Sequence, residues 1–118
     1  MKPISPLMHG YLDYFTVVVF LVAPSLFNLT GVAAILAYAL AVIHLAMTLA
    51  TDFPLGAVKL IPFKIHGLIE RIVGPVLLLV PFVLGFEGAA RFFYLFMGVV
   101  IIIVGFLTDY ESGQPSAG

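Results

Sequence analysis

The chain contains no cysteine and no tryptophan, and only 9% of its 118 residues are charged. The lack of cysteine excludes disulfides, thiolate metal sites and cysteine nucleophiles. Five lysines and arginines against six acidic residues leave a net charge of −1. No basic face exists to displace counterions from a phosphate backbone, so a nucleic-acid partner is not expected. A soluble domain devotes about 25% of its residues to charge, and this chain has too little to coat a water-facing surface. No segment alternates apolar and polar residues as a membrane strand must, so strands are not expected either. Nucleophile-elbow, His-Glu-x-x-His and glycine-rich phosphate-loop motifs are absent, and nothing marks the chain as an enzyme.

What the chain does have is apolar length. Residues 10–27, 31–50, 72–86 and 92–107 are runs with almost no charge, in a sequence that is 63% hydrophobic. A bilayer core of about 30 Å takes about 20 helical residues. The first two runs meet this directly. The others meet it with their flanks, 67–71 and 88–91. The opening MKPISPLM is too short and proline-rich for a signal peptide, so the first run reads as a retained span.

The sequence also matches itself at an offset of 57. HGYLD (9–13) falls on HGLIE (66–70), Pro24 on Pro81, Gly31 on Gly88 and TDF (51–53) on TDY (108–110). Apolar coincidences are cheap in such a chain, but recurrence of its rare polar residues points to a duplicated unit. The expected fold is an all-α membrane protein with four transmembrane helices as two tandem hairpins. It forms a single domain, 1–118, with repeat 1 at 9–53, a linker at 54–65, repeat 2 at 66–110 and a disordered tail at 111–118. The helices are expected at about 9–27, 31–50, 66–84 and 88–107. Asn28 and Gly85 hold matching turn positions suited to a left-handed cap. Pro75, opposite Val18, predicts a kink in the third helix. The linker's Lys59 and Lys64, set among apolar residues, suggest a segment lying in the headgroup layer. Tyr11, Tyr14, Phe53, Phe63 and Tyr110 suggest an interfacial aromatic belt. Lys2, Lys59, Lys64 and Arg71 lie on the side of the termini and Arg91 near the hairpin tips, which places both termini in the cytoplasm.

VPFVLGFEG (80–88), between two hydrophobic helices, resembles the signature of SPW-repeat membrane proteins; the element reads Ala23-Pro24-Ser25 and Val80-Pro81-Phe82. The resemblance implies a small multi-pass protein of the bacterial inner membrane built from hairpins, and brings no activity with it.

A hairpin returns its outer ends to one membrane face, so His9, Asp13, Asp52, His66, Glu70 and Asp109 are expected to converge at the cytoplasmic end of the bundle. His9/Asp13 and His66/Glu70 are each four apart and share a helix face. Two imidazoles and four carboxylates suit a hard or borderline divalent cation. The same groups also suit a capping network, with Asp52 and Asp109 closing helix ends, the histidines on linker carbonyls and Arg71 pairing with Asp13. His44, matched by Ile101, breaks the symmetry. It reads either as a neutral histidine bonded to Thr16 or near Pro75, or as a proton relay deeper in the bundle. Polar stripes on spanning helices face inward, and Gly98 and Gly105 mark close helix approach. The expected partners are the lipid bilayer and further copies of the chain, or a membrane complex. The functions left open are an ion-binding or transport-related module, a membrane enzyme or redox subunit with a metal at the cluster, and a structural subunit without a ligand.

Overall fold

The structure, a computed structural model, describes residues 2–111. Its order is α1 (Pro6–Leu26), α2 (Gly31–Leu49), β1 (Thr51–Asp52), β2 (Ile61–Pro62), α3 (Phe63–Val83) and α4 (Gly88–Leu107). All four helices are long and apolar enough to cross a membrane, and only 22–39% of each span is buried inside the bundle. The remainder exposes Phe15, Ile35, Val42, Leu79, Val83 and Phe92 among many other large apolar side chains, a surface that water does not tolerate at this extent.

Local chemistry sets the helix ends. Ser5 accepts a hydrogen bond from the Met8 amide at 3.2 Å, and Pro6 supplies a first-turn residue that needs no donor. α1 therefore begins three residues earlier than expected, at Pro6; α3 also begins three residues early, at Phe63, following Pro62 and without a side-chain cap. At the tips, Asn28 (φ 54°) and Gly85 (φ 72°) both adopt the left-handed conformation, so the chain reverses where the matched positions say it should. α3 is one helix through Pro75 and Pro81. The tail, apart from Glu111, lies outside the described residues.

α1 packs on α2, and α3 on α4. Both tips, around Asn28 and Glu87, line one shared hollow, so the two hairpins point the same way. A core drawn from all four helices fills the bundle. Phe20 meets Phe93 edge to face at 5.6 Å, and the buried Tyr94 hydroxyl donates to the Ala33 carbonyl at 2.7 Å, tying α4 to α2.

Two short parallel pairings, which the sequence did not suggest, close the other end. β1 and β2 align Thr51 with Ile61, and Ile4 bridges Thr108 in the same sense. The entry to α3 thus lies on the exit of α2, and the entry to α1 lies on the exit of α4. Each pairing satisfies backbone groups that the helix ends leave open. The linker is accordingly hydrogen-bonded into the protein, with the Ala57 and Val58 amides on the Leu49 carbonyl and Lys59 Nζ on the Phe53 carbonyl.

The two candidate small positions on α4 differ. A Cβ on Gly98 would stand 2.9 Å from the Gly74 carbonyl oxygen and 2.8 Å from Leu78, whereas one on Gly105 would meet nothing closer than 3.7 Å. Gly98→Ala therefore forces two backbones apart and should lower stability by about 1–3 kcal/mol. Gly105→Ala should be neutral or stabilising by up to about 1 kcal/mol through helix propensity. Equal effects of the two substitutions on unfolding in detergent would refute Gly98 as the α3–α4 crossing.

Candidate metal centre

His9 and Asp13 occupy the first turns of α1 and His66 and Glu70 those of α3, all four buried. One ligand atom from each lies within 4.8 Å of the others. The centre therefore gathers four of the six residues expected from the sequence. Asp52 and Asp109 fall outside this group. Asp52 lies on β1. Asp109 donates its amide to the Ile4 carbonyl and accepts the Glu111 amide at Oδ1. Residues immediately before them, Thr51 and Thr108, are the ones that touch the histidines.

These threonines fix the imidazoles. Thr51 Oγ1 lies 2.6 Å from the Met47 carbonyl and Thr108 Oγ1 2.6 Å from the Val104 carbonyl. A carbonyl only accepts, so each hydroxyl spends its proton there. Each hydroxyl is then an acceptor for the histidine, and His66 Nδ1 lies 2.7 Å from Thr51 Oγ1 while His9 Nδ1 lies 2.8 Å from Thr108 Oγ1. Both Nδ1 atoms must carry the proton and donate it. The orientation leaves each Nε2 facing the carboxylates. Each half of the chain orients the other's histidine.

His9 Nε2 is 2.7 Å from Glu70 Oε1 and 3.2 Å from Asp13 Oδ1. His66 Nε2 is 2.9 Å from Glu70 Oε1 and 3.1 Å from Asp13 Oδ2. The His9–Glu70 contact is a well-formed hydrogen bond. His66 Nε2 and Asp13 Oδ2, although buried and close, make no hydrogen bond.

His44, on α2, reaches Asp13 Oδ1 with Nε2 at 3.3 Å, rather than Thr16 or the backbone near Pro75. Thr16 instead donates to the Leu12 carbonyl. Arg71 stacks on Tyr110, 5.6 Å from the ring centroid, and makes no ion pair with Asp13 among the described contacts.

The expected aromatic belt is partly an internal plug. Phe53, Phe63 and Tyr110 are buried as one cluster and shut the centre from its outer side, with Phe63 and Tyr110 5.3 and 5.5 Å from the His9 ring. Burial, and after it the charge of Glu70, push the Tyr110 phenol well above its usual range, so it stays a neutral ring. Tyr11 is exposed, and Tyr14 donates to the Leu55 carbonyl at 2.7 Å. Sequence reasoning missed the two threonines as site residues, although Thr51 and Thr108 are among its identical pairs.

Thr51→Val or Thr108→Val keeps the shape and removes the acceptor, stranding a buried Nδ1–H. Each should destabilise the protein by about 1–3 kcal/mol, with Thr→Ser restoring most of the loss. Valine variants that melt with the parent protein would overturn the hydroxyl–imidazole assignment. In comparisons with known proteins, no family model, curated protein or solved structure matches this chain.

Proposed function

We propose that this protein is a multi-pass membrane protein that holds a divalent metal cation, of the borderline type represented by zinc, on His9, Asp13, His66 and Glu70. The single observation that carries this reading is the pair of threonine-locked histidines whose Nε2 atoms face two buried carboxylates at 2.7–3.2 Å. A metal-ligating histidine ordinarily donates its other ring N–H to an oxygen that orients it, and both threonines meet that description.

Charge supports the reading. Two imidazoliums and two carboxylates sum to zero. Two neutral imidazoles, two carboxylates and a divalent cation sum to zero as well. Metal binding therefore replaces two protons without leaving net charge in an apolar bundle. Distance supports it too. Ligand atoms in a tetrahedral shell with bonds of about 2.0–2.1 Å sit about 3.3 Å apart; the histidine–carboxylate separations here are 2.7–3.2 Å, and one atom from each of the four residues lies within 4.8 Å of the others. The burial of all four ligands suits a resident ion better than a transported one. His44 holds Asp13 from outside the shell.

The second reading is a proton-held ionic network, favoured by the 2.7 Å His9–Glu70 hydrogen bond. Full-length protein purified in detergent and dialysed against zinc should retain about one equivalent, melt at a higher temperature than after chelator treatment, and lose both properties in His66→Ala and Glu70→Gln. Thr51→Val should weaken zinc affinity about 10–100-fold, and acidification should weaken it further because protons compete for the ligands. If chelator leaves the melting temperature unchanged and no metal is retained, while His66→Ala still destabilises, the proton-held network is the correct reading.

The offset identities, the paired bridges Thr51–Ile61 and Ile4–Thr108, and helices of matching start all support a duplicated hairpin of the kind the SPW-repeat resemblance implies. The lysine and arginine bias supports a bacterial inner-membrane protein with both termini and the linker in the cytoplasm. The chain has no cysteine, so a single introduced thiol reports alone. In intact cells Ala57→Cys should resist an impermeant maleimide that labels Glu87→Cys; the reverse pattern overturns the orientation.

A further inference from the structure

A cavity of about 250 Å³ lies between α1 and α4. Leu12, Val19, Met97, Val100, Ile101 and Val104 form much of its wall, and Asp13 and Glu70 of the metal centre also line it. Phe15 and Phe96 line it as well and are 65% and 54% exposed. These two sit on the outer surface of helices that are long and apolar enough to span a membrane, so the cavity opens sideways, toward acyl chains, and not through the bundle end sealed by Phe53, Phe63 and Tyr110.

One polar departure between the two halves lies at this cavity. Ile101 is the counterpart of His44 at the 57-residue offset. On α2 the histidine reaches Asp13. On α4 the isoleucine does not, and it lines the cavity instead.

We propose that this cavity is a lipid-side binding site for an uncharged, hydroxyl-bearing lipophile, such as a long-chain phenol or alcohol, with its head at Asp13 and Glu70 and its chain between Phe15 and Phe96. The walls dictate the body of the ligand, because an apolar cavity is filled by hydrocarbon in preference to water. The inner end dictates the head. Its carboxylates only accept hydrogen bonds, and the Thr16 hydroxyl is already donated to the Leu12 carbonyl. A head that donates is therefore required. No lysine or arginine lines the cavity, so an anionic head would meet two carboxylates uncompensated. With a cation on the centre, the four side chains would already fill its shell, and the head would hydrogen-bond to the carboxylate oxygens rather than to the ion. The proposal rests on the metal reading only for that last arrangement; the cavity and its acceptor end stand without it.

The test uses the full chain in phosphatidylcholine nanodiscs, where the absence of native tryptophan lets one reporter be read alone. Phe96→Trp and Phe15→Trp report from the two sides of the mouth, and Val76→Trp reports from exposed α3 at similar depth. The probe is 4-(9-bromononyl)phenol, whose bromine quenches tryptophan, with 9-bromononylbenzene as the analogue lacking the hydroxyl. Quenching by the phenol should saturate at both mouth reporters. It should exceed that at Val76→Trp at least threefold, and fall to the Val76→Trp level with the benzene analogue or when Val100→Phe fills the cavity. Val19→Phe provides a second filling variant should Val100→Phe fail to fold. Equal, unsaturable quenching at all three reporters, saturation by the analogue as strong as by the phenol, or indifference to both filling variants overturns the proposal. Titrations with zinc and after chelator separate the two readings. Saturation in a protein that retains no metal refutes the metal centre alone, and metal retention without saturation refutes this site alone.

Discussion

Four ionisable side chains withdrawn from water into one apolar bundle must neutralise one another, and the rest of this structure serves that requirement. Removing one partner from such a group leaves an uncompensated buried charge, a cost of about 3–5 kcal/mol. Neutrality alone does not specify an arrangement. The threonine hydroxyls do. By giving their protons to the Met47 and Val104 carbonyls they can only accept from Nδ1, and this aims both Nε2 atoms at Asp13 and Glu70. The aromatic plug and the two parallel bridges then hold the hydroxyls in place and keep water from the charges.

The centre is also a joint between halves. His9 is held by Thr108 and His66 by Thr51, while the carboxylate nearest His9 is Glu70 of the other hairpin. Neither hairpin contains a complete set of contacts, so the polar network favours the assembled bundle over separate hairpins. Away from the centre the contact is apolar, through Phe20, Phe93 and their neighbours, and in lipid such packing carries little hydrophobic drive. The buried polar contacts therefore contribute directionality that the apolar surfaces lack. They fix which end of one hairpin meets which end of the other.

The two halves place like residues at the four-residue centre and unlike ones beside it. His9 and His66, Thr51 and Thr108, Asp13 and Glu70 occupy equivalent places. His44 and Ile101 do not, and the consequence is chemical: a third imidazole on Asp13 at one seam and an apolar cavity at the other.

Much of the architecture was legible because it depends on local or periodic properties. Apolar run length gave four helices, the offset of 57 located their counterparts, and Asn28 and Gly85 marked the reversals through backbone preference alone. Four site residues were legible because helical spacing puts His9 with Asp13 and His66 with Glu70 on one face whatever surrounds them. The sequence could not separate Asp109 from Thr108 or Asp52 from Thr51. Beyond the helix ends the backbone is no longer helical, and a change of one residue redirects a side chain entirely, so only the bridges to Ile4 and Ile61 decided that the threonines turn inward. The extra turn at Phe63, the buried role of Phe53 and Tyr110, and the separate fates of Gly98 and Gly105 likewise required the packed neighbours. Composition and periodicity thus determined that the chain forms paired apolar helices with its rare ionisable groups at one end. Which of those groups face one another, which protons they share and where a cavity opens were decided by tertiary structure, because each depends on contacts between residues that the sequence keeps far apart.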